Sequence, residues 1–321
     1  MTYRGRFAPS PTGPLHLGNA RTALLAWLAA RAARGTLVMR VEDLDRPRVR
    51  LGMEARLLDE LRWLGLGWDE GPDVGGRYGP YRQSELGGRH QAAVRRLRDA
   101  GLAYPCFCSR TEIAAASQAP HGPADDGPRY PGRCRRLAPG EVARRTAERA
   151  PAWRLRVEPG PVAFEDAVHG PCRFDVAAAT GDFVVMRADG IAAYQLAVVV
   201  DDAAMAITDV VRGDDLLSST ARQLLLYGAL GLPAPRFAHV PLVVGEDGER
   251  LAKRHGASTL GELREAGVAP EAVVGLLAAL CGLAATGTRC TASELVGGFA
   301  WGRLPRAPAR LSAGALAGLA R

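Results

Sequence analysis

The sequence predicts an α/β protein built on a Rossmann-like, doubly wound parallel sheet. Two observations carry that expectation. Residues Arg6 to Pro9 read as a short strand, Pro9-Ser-Pro-Thr-Gly13 as a turn, and Ala20, Ala23, Leu24, Trp27 and Leu28 as the apolar stripe of a helix. Leu37-Val-Met-Arg-Val41 then reads as a second strand. Strand, helix and strand in such close succession form a βαβ unit, which makes the strands parallel and places ligands beyond their ends. In addition, 321 residues of which 47% are apolar can bury a large core and suffice for roughly two domains.

The remaining elements follow in order. Helical periodicity recurs over Gly52–Leu64 and Arg89–Ala100, whereas Ser117–Pro131 is rich in Pro, Gly and Asp and reads as a loop. The middle of the chain is strand-rich and includes Ile191–Val200 and Met205–Val211 as expected strands. A helix over Ser219–Leu230 precedes two strands, Val240–Val244 and Glu249–Ala252, that flank Glu246-Asp247-Gly248 as a tight turn. Beyond Leu260 the pattern is helical and then ends in Pro305, Pro308 and scattered arginines. The longest charge-free stretch, Ala272–Thr288, is too short for a confident membrane span and carries Gly275, Gly282 and Gly287, so it reads as a buried helix. No internal repeat is visible.

A net charge of +7 and a pI near 9.4 favour a polyanionic partner, with nucleic acid foremost, although arginine-rich composition by itself also gives a solvated basic surface. The start, Met1-Thr-Tyr-Arg-Gly-Arg6, lacks the apolar run of a secretory signal. Six cysteines in a chain of this size, three of them clustered, point to a reducing compartment and to metal binding rather than to a disulfide framework. The expected location is the cytoplasm, with no membrane contact.

Of the 41 basic side chains only Lys253 is a lysine. An ammonium on a flexible stem can follow a moving phosphate, whereas a guanidinium is a broad planar fork, so Lys253 is the first catalytic candidate. The run Arg6-Phe-Ala-Pro-Ser-Pro-Thr-Gly-Pro-Leu-His-Leu-Gly-Asn19 delivers His16 and Gly18 to a helix N-terminus, where exposed N–H groups and the helix dipole favour phosphate. Cys106-Phe-Cys108 followed by Cys134 supplies three soft ligands for a tetrahedral zinc site that lacks an obvious fourth, for which His121 is the first chemical choice. Cys172, Cys281 and Cys290 read as ordinary core or surface residues.

These runs, with Arg250-Leu-Ala-Lys-Arg254, resemble the two signatures of class I aminoacyl-tRNA synthetases. The fuller succession Val41-Glu-Asp-Leu-Asp-Arg46, Tyr81-Arg-Gln-Ser84, Tyr194-Gln195, Val211-Arg-Gly-Asp214 and Leu251-Ala-Lys253 is similar to the glutamate-activating branch, over roughly residues 4 to 260. The resemblance implies that His16, Gly18 and Asn19 line an ATP site and that Lys253 neutralises the phosphates as pyrophosphate leaves, making His16, Gly18 and Lys253 the catalytic set. It implies that Arg6, Ser10, Glu42, Tyr194 and Arg212 bind L-glutamate, and that Tyr130 joins Cys106, Cys108 and Cys134 on Zn2+, with Mg2+ accompanying ATP. The Lys253 loop departs from the family pattern, with Arg250, Ala252 and Arg254 where lysine and two serines are usual.

The resemblance also divides the chain. Residues 1–100 would form the first half of the catalytic domain, 101–190 an inserted acceptor-type subdomain with the zinc site, 191–258 the second half with the Lys253 loop, and 259–321 a short helical C-terminal region without an anticodon-binding domain. So short an end resembles the short paralogue of the branch, which activates glutamate without tRNA and attaches it to queuosine in the anticodon stem-loop of tRNA(Asp). The alternatives are a truncated synthetase that charges the 3′ end of tRNA(Glu) and a non-catalytic RNA-binding paralogue. A monomer is expected.

Overall fold

The computed structural model describes residues 2–109, 111–113, 129–249, 251 and 259–320. In chain order the first half holds β1 (Arg4–Phe7), α1 (Leu17–Ala32), β2 (Thr36–Met39), α2 (Met53–Trp63), α3 (Gly87–Asp99), β3 (Ala103–Cys106), α4 (Pro139–Glu148) and β4 (Ala152–Leu155). Then follow β5 (Val162–Asp166), β6 (Gly170–Phe174), α5 (Val176–Ala179), β7 (Val184–Met186), α6 (Tyr194–Ala204), β8 (Asp209–Gly213) and α7 (Leu217–Leu230). The last part contains β9 (Arg236–Val240), β10 (Val243–Val244), α8 (Leu260–Glu265), α9 (Pro270–Ala279), β11 (Ala309–Arg310) and α10 (Ala313–Ala317).

The main sheet has the order β2-β1-β8-β9-β5-β6, and every pairing in it is parallel except that of β5 with β6. The expected βαβ unit is present, with Arg4 opposite Thr36 and Phe7 opposite Met39. Alternate residues of the strands enter different cores. Leu37, Met39, Val211, Ala238 and Val240 join α1 and α2 in one, while Val38, Val210 and Phe237 join α3, α6 and α7 in the other. The period-2 side-chain alternation of a strand therefore places helices on both faces, as a doubly wound α/β fold requires. Strands β3, β4 and β7 form a separate antiparallel sheet.

Helix α1 is buried on far more than the expected stripe. Leu17, Ala20, Arg21 and every residue from Ala23 to Ala30 are buried. The strands β1 and β8 lie against it, as do α9 and the turn Ser293–Gly298, which explains its many alanines. Each fully buried leucine in it contributes about 1.5–3 kcal/mol of burial free energy. Gly275, the first of the three glycines in the charge-free stretch, sits inside α9, where a Cβ would overlap the Thr288 carbonyl. Close backbone approach, rather than helix breaking, accounts for that glycine.

Two expectations about elements are corrected. Ile191–Val200 is not a strand: the segment forms α6, whose residues from Gln195 to Asp202 are all buried. A helix buried around its whole circumference shows little 3.6-residue rhythm, and Val198-Val199-Val200 then reads as strand by propensity alone. The strand expected from Met205 starts only at Asp209, because Met205 ends α6 and Ala206 adopts a left-handed backbone (φ 54). The turn around Glu246-Asp247-Gly248 is closed by Gly245 N donating to the Glu249 carbonyl at 2.8 Å. Val243 and Val244 also pair in parallel with Ala309 and Arg310, a partner that sequence reading did not anticipate. Ala252 lies outside the described residues.

Candidate active site

Strand β1 ends at Phe7, and the Pro-rich turn after it returns the chain to His16, the residue preceding α1. His16 is extended and provides no side-chain cap, and the first turn of α1 contains no acidic residue. The end of this 16-residue helix thus presents positive dipole and N–H groups without an internal anion. Half-buried Gly18 and exposed Asn19 belong to that first turn. His16 bridges to Thr259, and Leu260 N donates to the Leu15 carbonyl at 2.9 Å. Lys253 lies outside the described residues, as do Arg250, Ala252, Arg254 and His121.

Beyond the ends of β1, β2 and β8 lies a buried ionic cluster. Arg40, with 0% exposure, donates to Asp202 Oδ1 at 2.5 Å through Nη1 and to Glu42 Oε1 at 3.0 Å through Nη2. Arg6 donates to the same Asp202 oxygen at 3.4 Å and to the Val211 carbonyl at 3.2 Å. Glu42 is held to the Pro-rich turn by its N–H, which donates to the Pro9 carbonyl at 3.0 Å. Burial pushes the Glu42 carboxyl above its ordinary range, against the pull of Arg40 and Arg6. Burial acts in the same sense on Asp202, but Arg40 and Arg6 more than offset it and hold that carboxyl low.

Arg212, on β8, has a different set of partners. Its Nε donates to His239 Nε2 at 2.9 Å, and its Nη2 donates to Thr220 Oγ1 at 2.8 Å. Its Nη1 is buried and has no hydrogen-bond partner among the described residues. Burial lowers its pKa. Behind it, His239 Nδ1 lies 2.7 Å from Asp166 Oδ2. Burial depresses the His239 imidazole to about 4, despite its bond to Asp166. Tyr194, at the start of α6 and 40% exposed, interacts electrostatically with Glu42, Arg212 and Arg6.

The structure therefore brings Arg6, Glu42, Tyr194 and Arg212 into one charged cluster. Ser10 is exposed on the turn beside Pro9, and no side-chain hydrogen bond joins it to the cluster among the described residues. The recurrent phrases of the sequence are joined too: Ser84 Oγ donates to Asp43 at 2.6 Å, and Gln83 Nε2 donates to Asp201 at 2.8 Å. Sequence reading missed Arg40, Asp202, Asp166, Thr220 and His239. Arg40 was findable, because a strand places residues two apart on one side and Glu42 is two residues on.

A second cluster lies at the end of β3. The Sγ atoms of Cys106, Cys108 and Cys134 all lie within 4.8 Å of one another, with 3.6 Å between Cys108 and Cys134. A tetrahedron with Zn–S bonds of about 2.3 Å spaces its sulfurs by roughly 3.8 Å, so the three thiols fit that ion. Tyr130 Oη is 3.4 Å from Cys106 Sγ and 3.8 Å from Cys108 Sγ, and accepts from Cys134 N at 2.9 Å. Arg154 lies over the Tyr130 ring at 3.8 Å and donates to Cys106 Sγ at 3.2 Å. Hydrogen bonding with Cys134 holds the Cys106 thiol at about 4, against burial, with Tyr130 and Arg154 acting in the same direction.

A parallel sheet with a buried charged cluster near its strand ends and an uncapped helix N-terminus after β1 has the architecture of a class I synthetase catalytic domain. The chain belongs to the family described as tRNA synthetases class I (E and Q), catalytic domain, whose model matches residues 2–309. It is 54% identical over 316 residues to the glutamyl-Q tRNA(Asp) synthetase of Symbiobacterium thermophilum, covering 98% of each chain. It is 49% identical over 315 residues to glutamate–tRNA ligase 1 of Halorhodospira halophila, covering 97% of this chain but 65% of that one. The crystal structure of glutamate-tRNA synthetase from Elizabethkingia anophelis superimposes with a TM-score of 0.87 at 31% identity, over 98% of this chain and 69% of that one. Among the described residues no helix is long and apolar enough to cross a membrane.

Proposed function

We propose that the chain activates L-glutamate with ATP, without tRNA, and transfers it to the queuosine base in the anticodon stem-loop of tRNA(Asp). The single observation that carries the substrate is Arg212 Nη1, a buried guanidinium nitrogen without a hydrogen-bond partner among the described residues, in a cluster that also contains Arg6 and Glu42. Glutamate offers two carboxylates and one ammonium. Arg212 and Arg6 suit the carboxylates and Glu42 the ammonium, with Tyr194 at the mouth and Ser10 on the adjoining turn. The choice of RNA is supported by the match over 98% of both chains to a relative named for tRNA(Asp).

In the first step an α-carboxylate oxygen of glutamate attacks the α-phosphorus of ATP, and the bond to the β-phosphate oxygen breaks, giving glutamyl-adenylate and pyrophosphate. Positioning and charge stabilisation dominate such a displacement. His16, Gly18 and Asn19 would hold ATP at the start of α1, and Lys253 would meet the departing pyrophosphate. Mg2+ bound to ATP supplies further neutralisation of phosphate charge. In the second step a hydroxyl of queuosine's cyclopentene ring attacks the acyl carbon, the acyl–phosphate bond breaks, AMP leaves, and the hydroxyl proton is released. The basic surface would grip the anticodon phosphates in a salt-dependent way.

Cys106, Cys108, Cys134 and Tyr130 would hold one structural Zn2+, which would cross-link the end of β3 to the Tyr130–Cys134 segment. We read residues 1–100 and 191–258 as two halves of the catalytic domain, 101–190 as the insertion between them and 259–321 as a helical C-terminal region, in a cytoplasmic monomer. Radiolabelled glutamate, ATP and either queuosine-containing tRNA(Asp) or tRNA(Glu) test the reading. Label is expected on tRNA(Asp) and should still be acquired when the 3′-terminal adenosine has been removed beforehand. Label only on tRNA(Glu) overturns the choice of RNA, and glutamate-dependent pyrophosphate exchange that is absent without tRNA overturns the activation step.

A further inference from the structure

Three buried guanidinium groups converge on the pocket, and two of them share carboxylates. Arg6 and Arg40 both donate to Asp202, and Arg40 also donates to Glu42. Arg212 differs, because its partners are the His239 ring, the Thr220 hydroxyl and, at 3.5 Å, the Leu216 carbonyl. No carboxylate hydrogen-bonds to it among the described residues. It also lies over the Phe237 ring, 5.4 Å from the centroid, and the Asp202 carboxylate acts on it without a hydrogen bond between them.

The geometry fixes the protonation of the residue behind it. A guanidinium nitrogen can only donate, so His239 Nε2, 2.9 Å away, must be the acceptor and the ring proton must sit on Nδ1. That proton faces Asp166 Oδ2 at 2.7 Å, and Asp166 is itself locked by the backbone N–H groups of Val168 and His169, each at 3.0 Å. One imidazole ring therefore separates the Asp166 carboxylate from the guanidinium. Asp166 orients the ring, the ring orients Arg212, and the positive charge of Arg212 is left for whatever enters the pocket.

We infer that His239 is a specificity-determining positioning residue, which holds Arg212 through an uncharged acceptor so that the guanidinium selects a side-chain carboxylate over the isosteric amide. This rests on the glutamate-activating reading above and extends it to discrimination between glutamate and glutamine. A site built to neutralise a substrate charge rejects the uncharged analogue strongly, because the buried group is then left without its counter-charge. Were the acceptor a carboxylate, Arg212 would already be neutralised and the two amino acids would be distinguished poorly.

The test is amino-acid-dependent pyrophosphate exchange by the full chain, with KM and kcat measured separately for glutamate, glutamine and ATP. His239→Glu should shrink the glutamate-to-glutamine ratio of kcat/KM at least tenfold. His239→Asn, which keeps a donor for Asp166 but loses the acceptor for Arg212, should raise KM for glutamate tenfold or more while KM for ATP stays within twofold. His239→Gln, whose amide oxygen can replace the acceptor, should recover most of that loss. Asp166→Asn supplies a second route, expected to raise KM for glutamate in the same direction, should a position-239 variant fail to fold. A ratio and a KM for glutamate that stay within twofold of wild type in the folded variants overturn the inference, as does an equal fall in kcat with both amino acids. Absence of glutamate-dependent exchange in the wild-type protein overturns the underlying reading instead.

Discussion

Asp202 accepts from Arg40 Nη1 at 2.5 Å, deep beneath the pocket, and the same carboxylate oxygen accepts from Arg6 at 3.4 Å. One aspartate thus compensates two guanidinium groups that have almost no access to water. Removing a single partner from a buried ion network leaves uncompensated charge, which costs about 3–5 kcal/mol. Asp202→Asn is therefore expected to lower the urea unfolding midpoint by a corresponding amount. An unchanged midpoint would show that solvent reaches the cluster.

Arg212→Lys retains the charge but replaces a fork by a point. An ammonium cannot donate to His239 and Thr220 in the present plane and also direct a parallel N–H group into the pocket. We expect kcat/KM for glutamate in pyrophosphate exchange to fall by about a hundredfold, the scale of a lost charge-assisted hydrogen bond with misplacement of its partner. KM for ATP should move little. A variant within threefold of wild type would remove Arg212 from glutamate recognition.

Lys253→Met should abolish glutamate-dependent exchange while leaving the thermal unfolding curve unchanged, because the substitution preserves a long aliphatic stem. Exchange close to that of wild type would make the chain's solitary lysine incidental.

Metal analysis of purified protein is expected to find one zinc per chain. Tyr130→Phe should weaken retention against a chelator, measured by competition with a colorimetric zinc indicator, and Cys106→Ser should abolish it. Equal retention by Tyr130→Phe and wild type would identify a different fourth ligand.

Stability should fall between about pH 6.5 and pH 4. His239 is depressed from 6.5 to about 4 by burial, so across that interval the unfolded chain binds a proton that the folded chain does not. The folded state then loses free energy as pH falls, by on the order of 3 kcal/mol in total for this one group. Asp166, held below the ordinary carboxylate range, adds stability that is present above that range and is lost as pH falls through its own lowered value. Urea midpoints measured across the interval should slope less steeply in His239→Gln than in wild type, and identical slopes would assign the acid sensitivity elsewhere.

The first βαβ unit was legible because Pro9, Pro11 and Gly13 separate its strand from its helix and because its registers are local. Arg6, Glu42 and Arg212 were legible as types, since a substrate with both charges calls for both. The network that orients them was not. His239 and Asp166 are 73 residues apart, and nothing in the sequence near either one announces the pairing. Asp202 was hidden for another reason: it lies in α6, whose uniform burial erased the helical rhythm and made the segment read as a strand. Local pattern reports how a segment meets water, and a segment that meets none loses its signature.

Strand β11 pairs with β10 immediately before the turn closed by Gly245 and Glu249, while Arg310 Nη1 donates to the Glu246 carbonyl at 2.9 Å. Residues 309 and 310 are thereby stitched to the turn that precedes Lys253 in the sequence. Trimming or tagging near residue 309 is accordingly expected to loosen the Gly245–Glu249 turn, which these contacts tie to the late segment.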